Sequence, residues 1–372
     1  MQKLTGMTPY ILVGWCLWVI STSAQAVEVS GLYEAELAVT SQGRTERQKV
    51  IRAALLEVLI KVSGNTSVAL SPGIPQLLKR RNQFLQQYRY RNELQAETSG
   101  TGTSLSKQYL WVRFDKMSLD TAMRGLDLAI WGRSRPSTLA WITIEQGGKR
   151  QLLNSSTDTS LATIILQRAK QRGIPLDLPL MDLEDQQNIA LTDVLGGFQE
   201  TILKASQRYS ADAILVGRLR QLANQRWQGR WTLNLAGREY NWSEEGGFDA
   251  IIGFGIDGVT STLVSNYAHS TGNVAGEVKV LVTDIFNLDD YARSDQFLAG
   301  LDGVIRVEPE KIEKQSILFK IKLRGDQQSL LQSVRLSNQS VLSAVETAPA
   351  VVTTQPINNV ATVPLLTFKL IP

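Results

Sequence analysis

The stretch from residue 211 to residue 235 limits the possible folds of this chain most, because its pattern requires a β-sheet. Its first half contains the continuous apolar run Ala213–Val216, which is typical of a strand buried on both faces. Its second half alternates apolar and polar residues, as a half-buried strand does. The apolar members of that half are Trp227, Trp231, Leu233 and Leu235. The sequence therefore predicts a β-hairpin with one central arm and one half-exposed arm.

Helical spacing of apolar residues on both sides of this hairpin predicts a sheet covered by helices. The predicted helices cover residues 43–62, a segment after Pro75 that contains Leu77, Leu78 and Phe84, and residues 118–130, 158–172, 192–209, 248–267, 289–302 and 326–336. Segments that contain Gly or Pro, at 132–136 and 272–276, divide the chain into three small domains. These are an N-terminal α+β domain (27–134), a central α/β domain with a mixed sheet (135–271), and a C-terminal ferredoxin-like βαββαβ domain (277–372) with a long loop at 341–362. The predicted fold class is α/β and α+β.

The first 26 residues have the three parts of a secretory signal peptide. Lys3 precedes an apolar core from Tyr10 to Ile20, and Ala24-Gln25-Ala26 supplies the small residues of a cleavage site. The core has about half of the roughly 20 residues that a spanning helix needs, so cleavage is expected, with a retained anchor as the alternative. Cys16 follows the bulky Trp15 in mid-core, which argues against a lipid-modified cysteine. No later apolar stretch is expected to reach spanning length.

Cys16 is the only cysteine and His269 the only histidine. The mature chain therefore has no disulfide, and catalysis through a histidine is confined to His269, which we interpret as a surface or helix-end residue. Removing Lys3 from the 39 basic residues leaves 38 against 35 acidic ones, a net charge of +3. This balance argues against nucleic acid as a partner. We predict no enzyme activity, no cofactor and no metal.

Residues 253–258, GFGIDG, match the G-x-G-x-x-G pattern of dinucleotide-binding turns. The apolar run before the motif has only three residues, and exported proteins rarely meet NAD. The same segment fits an amphipathic helix equally well. A glycine costs such a helix about 1 kcal/mol relative to alanine. We therefore predict that these glycines allow the helix to pack closely on the sheet.

Three aspartates, Asp284, Asp289 and Asp290, cluster where a predicted strand meets a helix. Carboxylates in such a turn suit calcium, but Phe286 occupies a position where a calcium loop needs an oxygen ligand. Helix capping by Asn287 or Asp289, with Asp290 complementing the helix dipole in the first turn, explains the cluster without a metal.

Two groups of arginines form the candidate binding surface. They are Arg218, Arg220, Arg226 and Arg230 on the hairpin, and Arg89 and Arg91 on the predicted strand that contains QYRYR. Alternation along a strand places Arg226 and Arg230 on the face opposite the tryptophans. Such faces suit an anionic glycan, a lipid headgroup or an acidic protein. The net charge of +3 favours the other interpretation, an ordinary solvated sheet face balanced by nearby Asp and Glu.

Four segments resemble a family of secreted proteobacterial proteins grouped as a domain of unknown function, DUF2066. They are RPSTLAWITIE, YSADAILVGRL, the strand of Trp227 and Trp231, and VKVLVTDIFNLDDYARSDQFLAGLDGVIRVE. The resemblance covers most of the mature chain. The central domain is also similar to periplasmic accessory domains such as the TolB amino-terminal domain. The resemblance implies a non-enzymatic role at the cell envelope and transfers no site residues.

We therefore expect a soluble periplasmic protein that acts as a binding or assembly accessory of the cell envelope. Its expected partner is an envelope protein or an anionic glycan or lipid. The alternative function is a carbohydrate-active hydrolase of the periplasm that uses carboxylates alone. Such an enzyme needs two carboxylates about 5 to 10 Å apart in a cleft.

Overall fold

The computed structural model describes residues 27–94, 106–156, 160–267, 275–324, 327–337, 341–344 and 365–371. The predicted signal peptide, His269 and most of the predicted loop at 341–362 lie outside these ranges. Helices alternate with strands that form a three-stranded, a six-stranded and a five-stranded sheet and one two-stranded pair. The predicted fold class, a combination of α/β and α+β parts, is confirmed.

The N-terminal part is a three-stranded antiparallel sheet, in the order β2-β4-β3, packed against a long helix. Its elements are β1 (Val27–Glu28), β2 (Glu34–Val39), α1 (Arg44–Ser63), α2 (Ile74–Lys79), β3 (Leu85–Leu94), β4 (Ser106–Phe114) and α3 (Lys116–Arg124), with 3-10 turns at Thr66–Leu70 and Arg81–Gln83. Helix α1 stops at Gly64, whose φ of 69° is the left-handed conformation that a C-terminal glycine predicts.

Helix α3 differs from its prediction at both ends. Asp115 caps it, because the Asp115 side chain accepts a hydrogen bond from the Ser118 N–H at 2.9 Å. The helix ends at Arg124 rather than near residue 130. Residues beyond Arg124 pack on the core in an irregular segment, in which Leu128 and Ile130 are partly buried.

The central part is the largest sheet, in the order β11-β10-β9-β6-β7, with β8 also paired to β6. Its elements are β5 (Ser134–Arg135), β6 (Thr138–Gln146), β7 (Lys149–Leu152), α4 (Ser160–Arg172), β8 (Leu176–Asp177), α5 (Leu183–Asn188), α6 (Leu191–Gly196), α7 (Gln199–Ser206), β9 (Ala213–Gln221), β10 (Trp227–Leu235), β11 (Arg238–Gly246) and α8 (Phe248–Tyr267), with 3-10 turns at Gln207–Tyr209 and Ala223–Gln225. The predicted helix 192–209 is wrong as one element, because Gly197 with φ 69° separates α6 from α7.

The predicted hairpin is confirmed, since β9 and β10 pair antiparallel with Trp231 opposite Gly217. The run Ala213–Val216 is buried, as are Trp227 and Trp231. Strand β11 extends the hairpin to a three-stranded meander by pairing with β10. Its sequence, REYNWSEEG, is mostly exposed and polar, which is why apolar periodicity did not predict it.

Different helices cover the two faces of the central sheet. Helices α4 and α8 bury the face that carries the tryptophans. Helices α6 and α7 cover only part of the opposite face, over Trp141 of β6 and Ile214 and Val216 of β9. The rest of that opposite face, from the second half of β9 to β11, carries polar side chains.

Helix α8 is 20 residues long with a mean hydropathy of 1.2, which is long and apolar enough to cross a membrane. The expectation that no later stretch reaches this length is therefore wrong. In the fold, Ile251, Ile256 and Leu263 of this helix are buried in the cluster that contains Trp231. Packing on β10 and β11 accounts for the apolar face of α8 within the folded chain.

The C-terminal part follows the predicted β-α-β-β-α order and then departs from it. Its elements are β12 (Ala275–Thr283), α9 (Leu288–Gly300), β13 (Val304–Glu313), β14 (Ser316–Arg324), α10 (Gln327–Leu336), β15 (Leu342–Ala344) and β16 (Leu365–Leu370). The sheet order is β13-β14-β12-β16-β15. The segment 341–362 is not wholly a loop, since β15 pairs antiparallel with β16 and buries Leu342. Strand β16 is parallel to β12, unlike the last strand of an antiparallel ferredoxin-like sheet.

Arg135 lies where the three parts meet and is completely buried. Its guanidinium donates hydrogen bonds to five main-chain carbonyls, at 2.8 to 3.2 Å: those of Lys61, Trp131, Gly132, Arg172 and Gly173. Two of these carbonyls belong to the C-terminal turns of α1 and α4, which carry partial negative charge and have no partner within their own helices. A single cation thus caps helices from two different domains.

Candidate functional site

Three arginines lie together on the uncovered part of the central sheet: Arg218, Arg220 and Arg230, which we call the arginine face. Arg218 of β9 is directly opposite Arg230 of β10 in the strand register, and Thr143 of β6 flanks Arg218 on the other side. Side chains opposite each other in an antiparallel pair have Cβ atoms about 4.5 to 5.5 Å apart, and like charges there are destabilising. The pairing of Arg218 with Arg230 therefore destabilises the sheet, and a contribution other than stability has to explain it.

The arginine face encloses a niche of about 130 Å³, lined by Glu145, Leu195, Arg218, Leu219, Arg220, Gln228 and Arg230. Arg218 is half-buried there. Its Nε atom is buried, and among the described residues none accepts a hydrogen bond from it. Gly197, at the end of α6, leaves space for this side chain, because a Cβ at that position would lie 2.8 Å from an Arg218 terminal nitrogen.

The acidic and amide groups beside the niche are engaged elsewhere. Glu145 lies 3.4 Å from Arg150, and Gln228 donates a hydrogen bond to Glu245 at 2.8 Å. In the described part of the chain, no carboxylate comes within 4.0 Å of the three guanidinium groups of the arginine face. The three guanidinium groups therefore have no ion-pair partner among the described residues, and Glu145, which is beside Arg220 in the strand register, is the carboxylate that lines the niche with them.

The structure does not bring the other predicted arginines to this niche. Arg226 closes the turn between β9 and β10, and its side chain is exposed. Arg89 and Arg91 lie on the N-terminal sheet, where Arg89 stacks on Trp111 at 4.5 Å. Arg91 stacks on Tyr109 at 5.0 Å and also pairs with a carboxylate, that of Glu36, at 2.7 Å. The predicted surface is thus two separate surfaces.

A larger cleft of about 440 Å³ lies between the N-terminal and central parts. Its walls come from β2, α1 and Trp111 on one side, and from α4 and residues 173–177 on the other. This volume is within the range of small-molecule sites, which favour domain interfaces. Its charged lining is mixed, with the ammonium groups of Lys61 and Lys170 beside four carboxylates, those of Glu34, Glu36, Glu57 and Asp177.

Lys61 is the unusual group of this cleft, since the residue is only 4% exposed. Its ammonium donates a hydrogen bond to the Glu34 carbonyl at 2.7 Å and lies 4.0 Å from the Glu57 carboxylate. Burial lowers the pKa of the Lys61 ammonium to about 8, and burial also raises the pKa of Glu57. This burial was not predicted from the sequence, because Glu57 and Lys61 are spaced like an exposed i,i+4 helix pair. Only the neighbouring apolar residues Val58 and Val62 indicated that Lys61 could be buried.

The lowered pKa of Lys61 predicts that stability rises with pH above neutrality. Below about pH 8 the ammonium is charged in both the folded and the unfolded chain, so its burial costs stability. Between about pH 8 and 10.5 the folded protein has released this proton and the unfolded chain still binds it, so the free energy of unfolding increases, by up to about 3 kcal/mol. Urea unfolding from pH 7.5 to 10 measures this rise. Lys61→Met is expected to remove the rise up to about pH 9, above which the lowered pKa of Arg135 adds a rise of its own. An equal rise below pH 9 in that variant would assign the effect to other groups.

The glycines of GFGIDG lie in α8 and do not form a phosphate-binding turn. A Cβ on Gly255 would lie 2.2 Å from the Trp231 ring, and one on Gly258 would lie 2.4 Å from the Trp242 ring. Asp257 of the same motif lies 2.7 Å from the buried guanidinium of Arg172 on α4. The predicted role, close packing of the helix on the sheet, is confirmed for Gly255 and Gly258, whereas Gly253 faces Arg168 of α4.

The aspartate cluster near residue 284 is explained by capping. The Asn287 side chain caps α9 by accepting a hydrogen bond from the Asp290 N–H at 2.8 Å. Asp290 in turn accepts from the Phe286 N–H at 3.0 Å, and Asp284 lies 2.8 Å from Lys369. Over the described ranges, no group of three or more His, Cys, Asp or Glu side chains is arranged to hold a metal ion.

A comparison with known protein families identifies similarity in the N-terminal part. A family model described as Domain of unknown function (DUF8605) matches residues 26–132, which include β1 to β4 and α1 to α3. No curated protein matches the chain. The description of this family assigns no activity, so the N-terminal part is similar to a domain of unknown function.

Proposed function

We propose that this chain is a non-enzymatic binding or assembly accessory of the bacterial cell envelope, exported to the periplasm by residues 1–26. The tripartite pattern around Lys3, the apolar core and Ala24-Gln25-Ala26 supports export. The resemblance of segments in the central and C-terminal parts to the DUF2066 family supports an envelope role. On this proposal the DUF2066 resemblance extends over most of the mature chain, well beyond residues 26–132.

The arginine face is the observation that carries the proposal. Arg218 and Arg230 are directly opposite on neighbouring strands, and neither has a carboxylate partner among the described residues. Such an arrangement costs the sheet a few tenths of a kcal/mol or more. Positive charge that is retained at a cost to stability, on the part of the face that α6 and α7 leave uncovered, suits recognition of a negatively charged envelope component.

Charge reversal at Arg230 tests this proposal. Cross-linking in living Gram-negative cells, followed by purification of the tagged full chain from the periplasmic fraction, measures the recovery of envelope partners. We expect Arg230→Glu to lower that recovery about tenfold or more, because a like charge placed against an anionic partner costs several kcal/mol.

Arg238→Glu is the matched control, since Arg238 is an exposed arginine on β11 outside the arginine face. Its recovery of partners should equal that of the wild type. Equal recovery with Arg230→Glu, or a chain that stays in the cytoplasmic fraction, would contradict the proposal.

A further inference from the structure

We infer that the niche of the arginine face is a binding site for a phosphoryl group. The inference rests on the proposed function, in that it takes the arginine face as the surface that meets the partner. It adds the chemical class of the group that is bound, and it assigns the recognition to Arg218, Arg220 and Arg230.

The size of the niche favours a small ion over a drug-sized ligand. Its volume is about 130 Å³, which corresponds to roughly four water molecules at about 30 Å³ each. Pockets for drug-sized molecules have about 300 to 1,000 Å³. A tetrahedral oxyanion fits the niche, whereas a sugar ring or a peptide side chain with its backbone does not. A larger molecule would therefore place only its charged group inside.

The donors of the niche fit a multiply charged oxyanion better than a carboxylate. Each guanidinium has five N–H donors in a fixed fork, which matches phosphate oxygens in a bidentate manner. A phosphoryl monoester carries a charge of about −1.5 to −2 and three strong acceptor oxygens. Three arginines converge here, and the one carboxylate of the lining, Glu145, lies against Arg150. A singly charged carboxylate, with two oxygens, leaves one guanidinium without an acceptor.

The position of Arg218 is fixed before any ligand arrives. Its side chain is half-buried between Gly197 and the neighbouring strand, and its Nε is buried without an acceptor among the described residues. A buried donor without an acceptor costs about 1 to 3 kcal/mol. The buried Nε is closed to a water-sized group, so a phosphoryl oxygen in the niche accepts from the terminal nitrogens of Arg218, which are not among the buried donors that lack a partner.

The test is binding of inorganic phosphate to the full chain, measured by calorimetry and by the midpoint of thermal unfolding at constant ionic strength, with chloride as the balancing anion. Wild type is expected to bind phosphate, and Arg230→Gln is expected to bind it at least about tenfold more weakly, since a hydrogen bond to a charged group contributes that much. Arg230→Gln should not lower the midpoint without phosphate, because it removes a like-charge pair. The fold of this variant thus remains intact.

Arg226→Gln is the matched control, because it removes the same charge from the exposed turn of the same hairpin and leaves the lining of the niche unchanged. Phosphate also stabilises proteins non-specifically by exclusion from their surface. An equal midpoint shift in wild type, Arg226→Gln and Arg230→Gln would therefore overturn the inference. Loss of phosphate binding in Arg230→Gln alone supports it.

Vesicles separate the two sources of a phosphoryl group. Sedimentation of wild type, but not of Arg230→Gln, with vesicles that contain phosphatidic acid, whose headgroup is a phosphomonoester, and not with phosphatidylcholine vesicles identifies a lipid headgroup as the source. Phosphate binding without such sedimentation identifies a soluble phosphomonoester. If phosphate fails to bind wild type while partner recovery in cells still depends on Arg230, the phosphoryl inference is overturned and the proposed function stands.

Discussion

Replacement of Arg135 by methionine is expected to lower the free energy of unfolding by about 3 to 5 kcal/mol. The guanidinium is completely buried and is the hydrogen-bond donor for five main-chain carbonyls. Each buried acceptor left without a donor costs about 1 to 3 kcal/mol, and removing one side of a buried charge interaction costs about 3 to 5 kcal/mol. Urea unfolding followed by circular dichroism and by tryptophan fluorescence measures the loss.

The charge of Arg135 is balanced in an uncommon way. Burial lowers the pKa of its guanidinium to about 9, and the Asp302 carboxylate opposes this shift, so the group stays protonated at neutral pH. The nearest negative charge is supplied by the C-terminal ends of α1 and α4, through the Lys61 and Gly173 carbonyls. Asp302 itself accepts a hydrogen bond from the Ser134 N–H, which ties the C-terminal part to the same joint.

Arg135→Lys distinguishes the effect of the positive charge from the effect of the hydrogen-bond geometry of the guanidinium. Lysine keeps the positive charge but presents three donors on a single nitrogen, so it satisfies fewer of the five carbonyls. We expect it to be less destabilising than methionine and more destabilising than Arg238→Met, an exposed control. Two unfolding transitions that separate with different probes would show that the parts have become uncoupled. A loss below about 1 kcal/mol in Arg135→Met would contradict this account.

The buried position of Arg135 between the three parts could not be predicted from the sequence. Residues 132–136 combine Gly, Pro and polar residues, which predicts an exposed linker between domains. The structure buries Arg135 in that segment because carbonyls 37 and 74 residues away, those of Arg172 and Lys61, converge on it. No local pattern encodes this convergence. Elements set by local rules, such as the hairpin and the stop of α1 at Gly64, were predicted correctly.

The candidate site was likewise predictable from the sequence only where a local pattern determines the position of a residue. Alternation along β9 and β10, combined with a hairpin register, is sufficient to place Arg218 and Arg230 on one face. Arg226 was assigned to the same face, but Asn224 and Gln225 adopt φ values near 59°, and the resulting turn takes Arg226 out of the strand. Arg89 and Arg91 were predicted as a separate group, and the structure places them on another sheet. Spacing thus predicts neighbours within a hairpin and carries no information on the distance between separate sheets.

Two glycine-to-alanine substitutions in α8 are expected to change stability in opposite directions. Gly255→Ala places a Cβ about 2.2 Å from the Trp231 ring, which is closer than any real contact, so the helix or the ring must move. Trp231 has no room to move, since Gly217 and Gly229 also lie against it, with Cβ positions 2.7 and 2.9 Å from its ring. Overpacking of this kind costs typically 1 to 3 kcal/mol. We expect a loss near the upper end, measured by urea unfolding.

Gly253→Ala is the matched control, in the same helix and two residues earlier. A Cβ there meets only the tip of the flexible Arg168 side chain, at 3.2 Å. Alanine favours a helix interior over glycine by about 1 kcal/mol, so this variant should be as stable as wild type or more so. If both substitutions change the free energy of unfolding in the same direction, the glycines do not act through Trp231.

Trp231→Leu combined with Gly255→Ala is a further check. The smaller residue makes space for the new methyl group, so the double variant should lose less stability than the sum of the single losses, a coupling expected only between residues in contact.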